Sequence, residues 1–196
     1  MNRHTLHRIA TASVALAAAL AFTPAQAAFT GATDGSHWTP STTGGGNGSA
    51  ALAADGSTLT LVSSDSPDFS FSGPSTTSYA ITFAADTTLV FDWSYTTADE
   101  NGAMYDPFGW TLAGTSTQAT DDNAWIDPQS GHVTLSAHAG DTFSFWTASA
   151  DSAFGASTAV VSNFSAVSAV PEPASTGLMA SGLVALAGLA ARRRRR

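Results

Sequence analysis

Two pairs of adjacent acids, Asp99-Glu100 and Asp121-Asp122, are by type the residues of this chain most able to do chemistry. Two carboxyl groups flanking a glycosidic bond can act on it as acid and base. Neighbours in sequence do not set their carboxyl groups across a bond, however, and adjacent acids ordinarily both face solvent. Other routes fail on spacing. His37, His132 and His138 form no His-x-x-x-His or His-Glu-x-x-His pattern, so zinc is unsupported. No Gly-x-Ser-x-Gly elbow offers a serine nucleophile. Asp121-Asp122-Asn123 with Asp127-Pro128 lacks the Gly and distal Glu of an EF-hand and reads as a plain acidic loop. There is no Cys, hence no thiolate site and no disulfide. No enzyme is expected.

Charge narrows the partners. The seven basic residues are Arg3, Arg8, Arg192, Arg193, Arg194, Arg195 and Arg196, all near the two ends of the chain. Fourteen of the fifteen acids lie between Asp34 and Asp151, so the middle of the chain carries a formal charge of about −14 without one Lys or Arg. Nucleic acid is excluded as a partner bound through its phosphates, and no Arg or Lys can clamp an anionic substrate. The carboxylates must be solvated, hydrogen-bonded, set at strand ends or neutralised by a cation. Calcium, which takes six to eight oxygens from loops, is an option, not a requirement. Of the five tryptophans, Trp93 falls on an apolar alternating face and Trp110 in a strand. Trp125, in a polar loop between Asn123 and Pro128, is the one suited to an exposed platform for stacking on a sugar. Two Asn-x-Ser sequons, at Asn47 and Asn163, are expected by chance.

The elements that must position these residues read as all-β. Short runs rich in Thr, Val, Phe, Tyr and Trp alternate with Gly, Asp, Pro and Ser clusters, and no helical apolar period is sustained before the C-terminal tail. Strands are expected at 59–62, 69–71, 79–83, 88–95, 108–112, 133–137, 142–146 and 157–164. Leu89, Phe91, Trp93 and Tyr95 share one face, the alternation of a half-buried strand. About eight strands in one domain's length point to a jelly-roll-like β-sandwich over 51–169. Residues 28–50, with Gly44-Gly45-Gly46, read as a flexible Gly/Ser/Thr-rich lead-in.

Both ends carry addresses. Arg3 and Arg8 precede an apolar stretch at 9–22, and Ala25-Gln26-Ala27 places small residues where a signal peptidase cuts, so cleavage is expected between Ala27 and Ala28. At 170–196, Val170-Pro171-Glu172-Pro173 leads into an uncharged run at 174–191 and then the five arginines. Eighteen residues make a helix of about 27 Å, barely enough to cross a hydrocarbon core of about 30 Å. Arg192 to Arg196 would hold its end in the cytoplasm. Pro171 and Pro173 keep the segment before it extended, as a protease substrate must be.

This order of parts resembles the PEP-CTERM sorting signal, which an exosortase recognises in bacteria that make extracellular polysaccharide. The resemblance implies that an exosortase-like membrane protease processes the chain near Pro171, Glu172 and Pro173. The body is then released or transferred to the cell exterior. Phe91-Asp92-Trp93-Ser94-Tyr95, Tyr105-Asp106-Pro107-Phe108-Gly109-Trp110 and Ala139-Gly140-Asp141-Thr142-Phe143 look like the body of a recurrent group of PEP-CTERM proteins, with no activity implied. More loosely, the body is similar to CUB-type jelly-roll sandwiches. That likeness implies calcium ligands at Asp99 or its neighbour Glu100, at Asp106, and at Asp151 before Phe154-Gly155. The chain departs from that pattern in having no cysteines and in reversing the Gly-aromatic order at Phe154-Gly155. The expectation is an exported surface or matrix protein with a structural or adhesive role in an exopolysaccharide layer. The alternative is a carbohydrate-binding module whose loops are ordered by calcium.

Overall fold

A computed structural model describes residues 28–70 and 73–168. The signal segment 1–27, the sorting segment 170–196 and its membrane run 174–191 lie outside the described residues. The fold is two five-stranded antiparallel sheets packed face to face. The strands are β1 (Thr39–Thr43), β2 (Ser49–Leu52), β3 (Thr58–Val62), β4 (Ser75–Thr82), β5 (Thr87–Thr97), β6 (Phe108–Leu112), β7 (Thr115–Gln118), β8 (Gln129–Ala137), β9 (Thr142–Ser149) and β10 (Ser157–Ser168). One sheet has the order β1-β4-β9-β6-β7 and the other β2-β3-β10-β5-β8.

The period of two that builds strands also builds the core. Thr87, Leu89, Phe91, Trp93 and Tyr95 are buried in alternation along β5, and Phe143, Phe145, Thr147 and Ser149 likewise along β9. Facing residues of the two sheets meet in an aromatic centre. Phe91 of β5 meets Phe145 of β9 edge to face at 4.9 Å, and Phe143, on the same strand, meets Phe145 at 4.8 Å. Such pairs add to the area that each ring buries.

In β10 the alternation breaks and is repaired. Val161 and Phe164 are both fully buried although they are three residues apart. The register with β5 shifts between Ser162 and Ser165, and Asn163 takes φ 50°. This is a β-bulge, with Asn in the left-handed conformation that it tolerates better than most residues, and it turns Phe164 inward. The Asn163 side chain donates to Asp92 Oδ2 at 2.7 Å.

Three expectations need correction. The segment 28–50 is no flexible lead-in, since it contributes β1, the start of β2 and two core aromatics. Phe29 stacks on Phe164 at 4.3 Å, and Trp38 stacks on Tyr79 at 5.0 Å while its Nε1 donates to the Thr33 carbonyl at 2.9 Å. Its glycines answer to packing: a Cβ on Gly48 would sit 2.1 Å from Thr77 Oγ1. The strand expected at 69–71 is absent at Phe69, which lies in a turn at φ 56° with its N–H donating to the Ser66 carbonyl. The described residues form ten strands where eight are expected, the added ones being β1, β2 and β7. In β1 and β7 every residue is exposed, so neither has an apolar alternation to reveal it. β1 is an edge strand, which explains how it accommodates Pro40.

Candidate functional site

Strand registers bring five loops to one end of the sandwich. Ser75 lies opposite Ser149, Phe108 opposite Thr147, Ser157 opposite Thr97, and Gln129 opposite Tyr95. The loops 44–48, 63–74, 98–107, 119–128 and 150–156 therefore share that end, called here the tip. They hold nine of the fourteen acids found between Asp34 and Asp151. They also hold five of the large apolar side chains that are most exposed: Phe69, Met104, Trp125, Ile126 and Phe154.

Beneath the loops lie two carboxylates with no accessible surface, Asp106 and Asp99. Asp106 Oδ2 accepts from Ser63 Oγ at 2.8 Å and from the Ser157 N–H at 3.1 Å, while Oδ1 is buried without a hydrogen-bond partner. The Tyr95 hydroxyl donates to the Asp106 carbonyl at 2.6 Å. Burial pushes the Asp106 carboxyl up to about 6, with the charge of Asp99 adding to the effect. Asp99 Oδ1 accepts from the Asn101 N–H at 2.5 Å, and its Oδ2 is also buried and unpartnered. Burial raises the Asp99 carboxyl as well, reinforced by the charges of Asp151 and Asp65. With no Lys or Arg in this part of the chain, nothing basic on these side chains offsets that cost.

The three acids singled out as calcium ligands thus belong to one end of the fold, in unlike surroundings. Asp99 and Asp106 are buried, whereas Asp151 is half-buried and caps its own turn, its Oδ1 accepting from the Ala153 N–H at 3.1 Å. Among the described residues no group of three or more His, Asp or Glu side chains is placed to hold a metal ion. Asp99 and Asp106 each keep one buried carboxylate oxygen without a hydrogen-bond partner, the kind of ligand a hard cation takes. Glu100, the alternative to Asp99, is exposed.

Trp125 is 60 % exposed, as a platform must be, at φ 54° and ψ −123°. Its carbonyl accepts from the Ala103 N–H at 3.1 Å, which ties its loop to the turn that follows Asp99. The sequence gives little sign that Phe69 and Phe154 are exposed beside each other at the tip. Their rings lie edge to face at 5.6 Å, and they are 58 % and 51 % exposed. Phe-Gly at 154–155 is the one local signal for this. Gly155 takes φ 122°, and a Cβ there would sit 2.4 Å from the Ala98 carbonyl, so the chain passes close under Phe154.

At the opposite end, a cavity of about 530 Å³ is lined by Thr30, His37, Phe83, Thr142 and Ser168, away from the buried acids. β10, the central strand of its sheet, runs from the tip to Ser168, and Pro171 follows three residues later. Among the described residues no helix is long and apolar enough to cross a membrane.

The fold defines an all-β sandwich with an acidic, aromatic loop end. The tail defines its traffic: residues 169–196 match the PEP-CTERM protein-sorting motif, which marks an exported protein. No curated protein sequence matches the chain. Among solved structures the chain is similar to a family 35 carbohydrate-binding module from Clostridium thermocellum, with 11 % identity, a TM-score of 0.31, and coverage of 63 % of this chain and 90 % of that one. It is also similar to TmCBM61 in complex with β-1,4-galactotriose, with 12 % identity, a TM-score of 0.34, and coverage of 67 % and 88 %. A third is the C-terminal family 6 module of a laminarinase from Zobellia galactanivorans, with 13 % identity, a TM-score of 0.28, and coverage of 64 % and 98 %.

Proposed function

We propose that this protein is a non-enzymatic component of the cell surface or extracellular matrix, with a structural or adhesive role in an exopolysaccharide layer. It is exported after signal-peptidase cleavage before Ala28 and held in the inner membrane by 174–191. There an exosortase-like protease processes it near Pro171, Glu172 and Pro173. The observation that carries this reading is the sorting motif at 169–196. The absence of Lys and Arg from residues 28–168 supports it, since a surface of one sign resists collapse onto anionic polymers. Glu172→Ala, or deletion of Arg192 to Arg196, is expected to leave the precursor in the inner membrane. Release of both variants at the wild-type level would sink the reading.

A second reading, a carbohydrate-binding module with calcium-ordered loops, is favoured by the exposed Trp125 above the buried Asp99 and Asp106. Asp99 and Asp106 would hold the ion, with Asp151 the third acid that the CUB likeness implies. Calcium would neutralise carboxylates that nothing basic now balances, and so fix the loops that carry Trp125. Pull-down on extracellular polysaccharide separates the two readings, because Trp125→Ala abolishes retention only under the second.

A further inference from the structure

We propose that the tip is a two-sided docking surface for an uncharged glycan chain, which lies across Phe69 and Phe154 on one side of the Asp99 turn and Trp125 on the other. This rests on the carbohydrate-binding reading above and adds to it the second aromatic side and the charge class of the ligand.

The first support is the way the rings are held. Phe69, Trp125 and Phe154 are each at least half exposed, and each has a positive φ, of 56°, 54° and 66°. That conformation is an outlier for a bulky residue and persists only where the surrounding structure imposes it. Here it is imposed by bonds between loops. The Ser66 N–H donates to the Ser152 carbonyl at 2.8 Å beneath Phe69 and Phe154, and the Ala103 N–H donates to the Trp125 carbonyl at 3.1 Å. Gly155 packs against Ala98 and Asp99, so the turn at 98–104 touches both aromatic sides. Rigid exposed rings lose little conformational freedom on binding and offer the flat apolar area that the C–H face of a pyranose covers.

The second support is charge. An anionic polymer would meet acids from all sides and no Lys or Arg. A cationic partner would want free carboxylates, but several of those at the tip are engaged, Asp68, Asp121 and Asp151 within their own turns and Asp65 with another loop. Asp68 Oδ1 accepts from Ser66 Oγ and the Ser70 N–H, Asp121 Oδ1 from the Asn123 N–H, and Asp65 Oδ1 from the Gly155 N–H. Each keeps a second oxygen able to accept from a hydroxyl, which is what a neutral sugar supplies. Aromatic faces with hydroxyl acceptors beside them suit a chain of uncharged sugar rings.

The test is affinity electrophoresis of the full-length protein in mild detergent, through gels holding a neutral polysaccharide (galactan, β-glucan, xyloglucan or galactomannan) or alginate. Wild type is expected to be retarded by at least one neutral polymer and not by alginate. Phe154→Ala and Trp125→Ala should each weaken that binding at least tenfold with an unchanged melting temperature, and Phe154→Tyr should restore most of it. Retardation lost in Trp125→Ala but unchanged in Phe69→Ala and Phe154→Ala would overturn the two-sided surface and leave the carbohydrate-binding reading standing. Retardation by no neutral polymer would overturn both. Retardation by alginate alone, or capture on polylysine without any by neutral polymers, would overturn the uncharged ligand.

Discussion

The Ser63 hydroxyl donates to Asp106 Oδ2 at 2.8 Å, joining the loop that leaves β3 in one sheet to the loop that enters β6 in the other. Ser157, at the start of β10, donates its N–H to the same oxygen at 3.1 Å. One carboxylate thus ties both sheets together at the tip, while its other oxygen is buried with no partner.

Stability should therefore depend on pH in a direction unusual for an aspartate. Burial raises the Asp106 carboxyl from 3.8 to about 6 in the folded protein. Between those values the folded state binds the proton and the unfolded state does not, so stability falls as pH rises from about 4 to about 6 and then levels. The loss is about 3 kcal/mol, or roughly 6 to 12 °C in melting temperature. Thermal unfolding across this range measures it. Asp106→Asn should flatten the profile, and a wild-type profile that rises throughout would contradict the burial argument.

Under the calcium-ordered reading, a cation held by Asp99 and Asp106 takes the place of the proton and offsets that loss. At pH 7.5, calcium at a hundredfold excess over its dissociation constant should stabilise the fold by about 2.7 kcal/mol, through binding to the folded state alone. Scanning calorimetry with calcium and then with chelator tests this, with Asp106→Ala as the control that loses the response. Identical curves would leave Asp99 and Asp106 as buried carboxylates without a metal.

The core role of the first described residues predicts a large effect far from the tip. Phe29→Ala removes the ring stacked on Phe164 and should cost about 3 to 5 kcal/mol. Urea denaturation gives the value. A change within experimental error would mean that the segment is the flexible lead-in after all.

The bulge in β10 makes a narrower prediction. Asn163→Val places a β-branched residue at φ 50° and should cost about 2 kcal/mol, whereas Asn163→Gly, which keeps the conformation, should cost less. Equal losses in denaturation would assign the effect to the side-chain bond with Asp92 alone.

The central strands were legible because they are half-buried: Leu89, Phe91, Trp93 and Tyr95 announce β5 and its buried face together. β1 and β7 were not, because an edge strand that buries nothing carries no period, and Thr39–Thr43 reads like any polar loop. The run of Gly, Ser and Thr around Gly48 suggested freedom, when the contact with Thr77 shows that it answers to crowding. At the tip, the acids Asp99, Asp106 and Asp151 could be named from the sequence, but their unequal burial depends on which loops cover them. Phe69 reads as a strand residue because Phe69-Ser70-Phe71 alternates aromatic and polar, whereas the turn from Ser66 to Phe69 faces its ring outward.

Whether the sorting segment is removed and the sandwich exported is read from the intact mass of the extracellular protein. The predicted species begins at Ala28, ends near Pro171 to Pro173 and lacks Arg192 to Arg196, and Glu172→Ala yields none of it outside the cell. An extracellular protein that keeps residues 174–196, or a Glu172→Ala variant exported with the wild-type terminus, would contradict this processing.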